Sequence, residues 1–153
     1  MIDTALAILT GIVIAAVSSW ITVQLSLRKF RTERWWEKKA EAYSRIIEAL
    51  HNSKAFADNH LEAQYSGRDL PAEKDKELRQ RSKLAHEEIA KAVDIGAFLL
   101  SEEALTRLKQ YQKEAGKTED EKSWFEYLEE TWGSTDKCLK DLIKIAKRDL
   151  RAK

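Results

Sequence analysis

The stretch from Trp36 to Leu61, WEKKAEAYSRIIEALHNSKAFADNHL, gives the clearest indication of the fold. Its apolar residues recur every three or four positions, the period of one helix face, without the strict alternation of half-buried strands. Neither glycine nor proline interrupts the stretch. The apolar row consists of Trp36, Ala40, Tyr43, Ile47, Leu50, Ala57 and Leu61, with Ile46, Ala49 and Phe56 beside it. The pattern predicts a packed α-helix.

Downstream of this helix, the sequence predicts a turn and two further helices. Gly67 and Pro71 mark the turn, and Pro71 suits the start of the second helix, which we expect to end around Ser101. Ser101 is predicted to be the N-cap of a short third helix because two glutamates follow it. Gly116 is predicted to terminate that helix.

A fourth helix is predicted near the C terminus. Thr118, with Glu121 three residues later, has the pattern of a capping box, and Gly133 with Ser134 either kinks the helix or splits it. The apolar seam of this helix contains Trp124, Leu128, Thr131, Thr135, Cys138, Leu142 and Ile145. Together the four segments predict an all-α fold, an antiparallel bundle of about four helices.

The N-terminal flank of the bundle predicts a membrane anchor. Thr4 to Leu27 is a stretch of 24 residues without a charge, which rises about 36 Å as a helix against about 30 Å for the hydrocarbon core. A removed signal peptide is disfavoured because the only charge before the apolar run is acidic, at Asp3, and the run is long. We therefore expect residues 1–27 to form a transmembrane helix that continues into the bundle.

A basic juxtamembrane segment follows the predicted span and orients it. Residues 28–39 carry six basic and two acidic side chains, and cationic flanks stay on the cytoplasmic side. We therefore expect a single-pass protein of the inner (cytoplasmic) membrane, with its N terminus outside and residues 40–153 as a cytosolic bundle. The side chains expected to contact lipid headgroups are Arg28, Lys29, Arg31, Arg34, Trp35 and Trp36. The two tryptophans equally fit the first core positions of the bundle.

One face of the predicted span favours self-association. Ala7, Gly11, Ala15 and Ser19 recur every four residues, and small side chains let two helix backbones approach closely in lipid. Such residues are common in any membrane helix, so the row can also arise by chance. Heptad spacing in the bundle helices permits packing between copies as well. We expect a homo-oligomer, or a complex with a protein partner, at the lipid bilayer.

The composition argues against several chemical functions. With 27 basic against 26 acidic residues, the chain lacks the basic excess of a nucleic-acid-binding protein. The chain has one cysteine and three dispersed histidines, without zinc-like spacing, and no glycine-rich phosphate loop. Cys138 lies on a helix seam, where a small buried hydrophobe is expected rather than a nucleophile. We therefore expect no catalytic residue, metal, cofactor or small-molecule substrate, and a non-enzymatic role.

Two pairs of residues indicate an alternative of a different class. Arg45 with His51, and Arg81 with His86, resemble the active-site motif of HEPN ribonucleases, which are also all-helical. The resemblance implies that the histidine acts on the 2′-hydroxyl of RNA and the arginine on the phosphate, across a dimer. A membrane-tethered HEPN-like ribonuclease is therefore the alternative function.

A wider resemblance concerns the architecture. Trp35, Trp36, Lys38 and Tyr43, together with the stretch Ile95–Glu102, look like a set of small bacterial and phage proteins. Those proteins pair an N-terminal membrane span with a helical cytosolic domain. The resemblance implies a prokaryotic origin and this architecture, and it implies no activity. Because such proteins often lie in prophage regions, a role in phage defence or superinfection exclusion is one variant of the interaction hypothesis.

Overall fold

The fold is all-helical, as the apolar spacing predicts. The structure, a computed structural model, describes the backbone of residues 2–116 and 123–151, and within them the side chains of residues 17–96, 98–116 and 123–151. The described residues contain no strand. The elements are α1 (Ile2–Tyr65), α2 (Ala72–Ile95), a short 3₁₀ helix (Gly96–Phe98), α3 (Glu102–Ala115) and α4 (Trp124–Arg151).

The chain divides into two compact units. The N-terminal unit ends at Glu37 and consists of the first part of α1. The second unit begins at Lys38 and contains the rest of α1 with α2, α3 and α4. We call this second unit the bundle.

Within the bundle, α1 and α4 run antiparallel. The Tyr43 hydroxyl donates to an Asp149 carboxylate oxygen 2.5 Å away. This bond joins the beginning of the part of α1 that belongs to the bundle to the end of α4. The Tyr65 hydroxyl donates to Glu129 at 3.3 Å, which joins the end of α1 to the beginning of α4. Residue numbers therefore rise along α1 as they fall along α4.

The same antiparallel relation holds between α3 and α4. Arg107 bonds to Asp141 at 2.9 Å, and the hydroxyls of Tyr111 and Thr135 lie 3.0 Å apart. The second pair is later than the first along α3 and earlier along α4. These contacts confirm the predicted antiparallel bundle, in which four helices supply one shared core.

The core confirms most of the predicted apolar rows. Trp35 and Trp36 are exceptions, because their side chains are 50% and 41% exposed. The interpretation of these two tryptophans as the first core residues is therefore wrong. Ser53 and His60 are buried, although the apolar spacing gave no sign of either. The largest fully buried apolar side chains are Tyr43, Leu50, Ile89, Leu108, Tyr111, Leu128 and Leu142.

The predicted start of α3 is confirmed, whereas the end of α2 and the course of α4 differ from the prediction. The Ser101 side chain accepts a hydrogen bond from the Ala104 backbone N–H at 3.3 Å, which confirms the predicted N-cap of α3. The second helix ends at Ile95, earlier than expected, because the chain passes into the 3₁₀ helix. The fourth helix runs through Gly133 and Ser134 without a break.

The beginning of α4 uses a different capping box from the predicted one. The backbone N–H and the hydroxyl of Ser123 both donate to a Glu126 carboxylate oxygen, at 2.9 and 2.8 Å. In return, the Glu126 N–H donates to the Ser123 hydroxyl at 3.3 Å, and the helix begins at Trp124. The predicted box at Thr118 and Glu121 lies outside the described residues.

The predicted membrane location is wrong. No helix in the part of the chain whose side chains are described is both long and apolar enough to cross a membrane. Of the predicted span, residues 17–27 lie in this part of the chain. The rest of the predicted span, residues 4–16, lies outside the described side chains. The finding contradicts a single-pass inner-membrane protein with its N terminus outside and residues 40–153 in the cytoplasm.

Candidate functional site

The N-terminal unit presents an uncovered apolar surface. All of its side chains from Val17 to Glu37 are exposed, and Trp20 is the most exposed of the large apolar ones at 65%. Contiguous exposed apolar surface of this kind marks an interaction site. The large apolar side chains between residues 17 and 30 are Val17, Trp20, Ile21, Val23, Leu25, Leu27 and Phe30.

These apolar side chains surround more than half of the helix. At about 100° per residue, they leave a narrow strip that carries Ser18, Ser19, Thr22 and Ser26, which we call the serine strip. The Thr22 hydroxyl donates to the Ser18 carbonyl oxygen at 2.8 Å, so it is satisfied within its own helix. Ser19 of the predicted packing row lies on this strip. The other members of that row, Ala7, Gly11 and Ala15, lie outside the described side chains.

The predicted headgroup-binding residues lie farther along the same unit. The Arg28, Lys29, Arg31 and Arg34 side chains are all exposed, as are Trp35 and Trp36. The Lys29 ammonium makes a long ion pair with Glu33 at 3.9 Å, and the Arg34 guanidinium lies 5.1 Å from the centroid of the Phe30 ring. Contact of these side chains with lipid headgroups stays a prediction.

A groove of about 810 Å³ lies between the end of α1 and the first half of α4. We call it the α1–α4 groove. Its apolar lining includes Tyr65, which is 71% exposed, and Trp132, which is 36% exposed. Its rim carries the carboxylates of Asp58, Glu62 and Glu129, all from exposed residues. The groove therefore combines aromatic surface with charge of one sign.

Hydrogen bonds from aromatic side chains orient two of these three carboxylates. The indole N–H of Trp132 donates to Asp58, and the Tyr65 hydroxyl donates to Glu129. Partial desolvation and the Glu129 carboxylate raise the pKa of Tyr65, which favours the protonated phenol that donates to Glu129. Among the described residues, Glu62 and Glu129 have no cationic partner. The rim thus keeps negative charge that the bundle itself leaves unpaired.

A second groove, of about 540 Å³ between α1 and α2, brings together the two arginines of the HEPN-like pairs. Arg45 and Arg81 both line it, and each is paired to a glutamate four residues earlier, at 2.6 and 2.7 Å. Neither His51 nor His86 is among the residues that line this groove. The His86 ring nitrogen Nδ1 lies 2.7 Å from the Ser82 carbonyl oxygen of its own helix. The groove therefore brings the arginines together without their histidines.

His60 forms a polar and aromatic cluster that the sequence analysis did not single out. Its Nδ1 lies 2.8 Å from the Phe56 carbonyl oxygen and its Nε2 lies 2.8 Å from an Asp75 carboxylate oxygen. Hydrogen bonds from Arg79 and from His60 lower the pKa of Asp75. The Arg79 guanidinium also lies 5.7 Å from the centroid of a Trp124 ring. These groups bond to one another, so the cluster ties α1 to α2.

The bundle core contains a hydroxyl chain and a thiol. The Tyr111 hydroxyl lies 3.2 Å from Ser53 Oγ and 3.0 Å from Thr135 Oγ1, and all three residues are buried. Cys138 is also buried, and burial raises its pKa to about 12. Because the thiolate is the nucleophilic form, Cys138 is a core residue and not a reactive one at neutral pH.

Arg107 is a buried cation between α3 and α4. It is paired to Asp141 at 2.9 Å and to Glu114 at 3.7 Å. Its Nη1 and Nη2 atoms are buried and have no hydrogen-bond partner among the described residues. Because both atoms are enclosed, they are not open to a ligand from solvent, and Arg107 serves to link the two helices.

Comparison with known proteins adds no identity to these surfaces. No protein-family model, curated protein or solved structure matches this chain. In the described residues, no three histidine, cysteine, aspartate or glutamate side chains lie together in a way that could hold a metal ion. The resemblances to HEPN ribonucleases and to small phage-associated proteins stay predictions, as does a role in phage defence. The geometry offers interaction surfaces as the candidate sites.

Proposed function

We propose that this protein is non-enzymatic and acts by binding other copies of itself through its N-terminal unit. One observation carries the proposal, namely the exposed apolar side chains between Val17 and Phe30. Burying apolar surface contributes about 25 cal/mol per Å², and a helix that is apolar over most of its circumference is normally covered by neighbours. A second copy supplies a helix of the same length and composition.

The serine strip supports a specific contact within such an assembly. Ser19 and Thr22 present small side chains, and the sequence continues the row of small residues toward the N terminus at Ala15 and Gly11. Small side chains allow two helix backbones to approach closely. At about 100° per residue, Leu25 and Phe30 flank the strip on either side, so a contact along the strip also buries apolar surface of both copies.

The chemistry of the bundle supports a binding role over a catalytic one. The thiol of Cys138 is buried with a raised pKa, and His60 is bonded to Asp75 and to the backbone of its own helix. Arg45 and Arg81 share a groove that their histidines do not line. These side chains are engaged in packing, ion pairs and hydrogen bonds within the bundle.

Disulfide crosslinking in intact cells tests self-association. In a Cys138→Ala background, Ser19→Cys places one cysteine on the serine strip, and Ile21→Cys places it about 160° away around the helix as the matched control. Two cysteines form a bridge only when their Cα atoms come within about 7 Å. We expect a covalent dimer with Ser19→Cys under mild oxidation, and at least about fivefold less with Ile21→Cys.

Three other outcomes would change the conclusion in different ways. No dimer with either variant would contradict self-association through this unit. Equal yields from both variants would contradict the serine strip as the contact face. If the chain did not crosslink but floated with lipid vesicles in a density gradient, lipid and not a second copy would cover the apolar surface.

The ribonuclease remains the second candidate because Arg45 and Arg81 do meet in one groove. It requires His51 or His86 to reach the same RNA backbone, from the same copy or from a partner. Cleavage of a single-stranded RNA by the purified full chain, abolished by His51→Ala with His86→Ala, would favour it. Absence of cleavage at high protein concentration would remove it.

A further inference from the structure

The α1–α4 groove combines an open apolar wall with an acidic rim, and both features point to one kind of occupant. We propose that the groove binds a helical, basic segment of a partner protein. Its aromatic surface comes from Tyr65 and Trp132, and its carboxylates come from Asp58, Glu62 and Glu129. The site lies in the bundle, so it is independent of the self-association proposed for the N-terminal unit.

The shape of the groove depends on a glycine inside α4. Gly133 lines the groove, and a Cβ atom built there would meet nothing within 4 Å. Glycine inside a helix is destabilising relative to alanine, yet here it leaves the wall bare beside the Trp132 ring. Tryptophan and tyrosine side chains of this kind commonly supply most of the energy of a protein interface. An incoming helix can therefore lie against the bare wall at Gly133, as in helix-in-groove recognition.

The charge of the rim selects a basic occupant. Asp58 and Glu62 lie one turn apart on α1, a spacing that matches two basic side chains one turn apart on an incoming helix. The Lys54 ammonium lies 5.0 Å from the centroid of the Trp132 ring and also interacts with Asp58. Glu62 and Glu129 are therefore the rim carboxylates left for an incoming cation. Arginine suits the groove best because its planar guanidinium both stacks on aromatic rings and pairs with carboxylates through two hydrogen bonds.

Binding of a defined peptide to the full chain tests the proposal. The probe is a fluorescein-labelled, alanine-based helical peptide with two arginines four residues apart and a leucine between them, and a second probe carries glutamates in place of the arginines. Glu62→Lys with Glu129→Lys changes the rim. Glu73→Lys with Glu102→Lys, two exposed acids of α2 and α3, changes the net charge equally and is the control. Fluorescence anisotropy gives the Kd of each probe for each variant.

We expect saturable binding of the arginine probe, weakened at least about tenfold by the rim variant and less than about twofold by the control, with weaker binding at higher salt. The variant Gly133→Leu should also weaken binding at least about tenfold without a change in charge, while Gly133→Ala should not. Circular dichroism checks that each variant folds.

Several results would overturn the proposal. Equal losses in the rim and control variants would show that the peptide responds to net charge alone. Equal affinity for the arginine and glutamate probes would remove the selection by charge. Loss of probe binding as the protein concentration rises would show that a second copy of this chain occupies the groove. None of these results bears on the crosslinking at Ser19, so the two proposals fail separately.

Discussion

Tyr111 joins α3 to α1 and α4 through one buried hydroxyl, which lies between Ser53 and Thr135. Tyr111→Phe keeps the ring and removes this oxygen, so the hydroxyls of Ser53 and Thr135 lose a partner where water cannot replace it. We expect the free energy of unfolding to fall by about 1–3 kcal/mol, measured by urea denaturation.

The matched control for this change is Tyr127→Phe. Tyr127 is 38% exposed, so water replaces whatever its hydroxyl loses, and the expected change is below about 0.5 kcal/mol. If the two variants lost equal stability, or if Tyr111→Phe lost none, the buried hydroxyl chain would not contribute to folding in the way proposed.

Cys138 gives a chemical test of the same core. Because burial raises its pKa to about 12, the thiolate is scarce at pH 8, and the surrounding side chains block access as well. We expect modification by Ellman's reagent at least about three orders of magnitude slower than that of an exposed cysteine, and rapid modification in urea. Ser44→Cys in a Cys138→Ala background supplies the exposed comparison. Comparable rates in the folded proteins would show that the core opens readily.

Two glycines, one in a turn and one inside a helix, should respond in opposite ways to replacement by alanine. Gly67 follows the end of α1 with a φ of +59°, where an L side chain is strained, so Gly67→Ala should lower the free energy of unfolding by about 1 kcal/mol. Gly133 is helical with open space at its Cβ position, so Gly133→Ala should raise it by about 0.5–1 kcal/mol. Chemical denaturation measures both, and a shared sign would contradict the conformational argument.

The helices themselves could be predicted because their signals are local. The row through Tyr43, Leu50 and Ala57 is buried as its spacing predicts, and Ser101 caps α3 because cap and helix lie within three residues. The sequence alone does not select the start of α4, because Ser123 with Glu126 shows the same pattern as Thr118 with Glu121 earlier in the chain. A local pattern that occurs twice does not by itself select one start.

The surface grooves could not be predicted in the same way, because they depend on the register in which different helices pack against each other. The α1–α4 groove exists because Tyr65 lies beside Glu129, and that register follows from packing of the whole core. The HEPN-like pairs illustrate the converse. Residues five or six apart on one helix, such as Arg45 and His51, point about 120–140° apart, so proximity in sequence does not bring them to one site.

Three aspartates connect elements of the bundle, and we expect them to make its free energy of unfolding fall at acidic pH. A hydrogen bond from Arg79 lowers the pKa of Asp75, and one from Lys140 lowers that of Asp136. Burial alone would raise the pKa of Asp149, but hydrogen bonds from the α3 N-cap serine and from an α1 tyrosine outweigh it and leave the pKa lowered. In each case the folded protein holds the carboxyl proton less tightly than the unfolded chain does.

A lowered folded pKa means that the stabilisation is present above the unfolded pKa, about 3.9 for aspartate, and is lost as the pH falls through the folded value. We therefore expect the free energy of unfolding, from urea denaturation at a series of pH values, to fall steeply below about pH 4. Asp136→Asn removes one titrating group that links α4 to Lys54 of α1, so it should make that fall shallower while lowering stability at pH 7. A variant with an unchanged acid slope, or a wild-type protein that gains stability as the pH falls below 4, would show that these carboxylates do not hold the helices together.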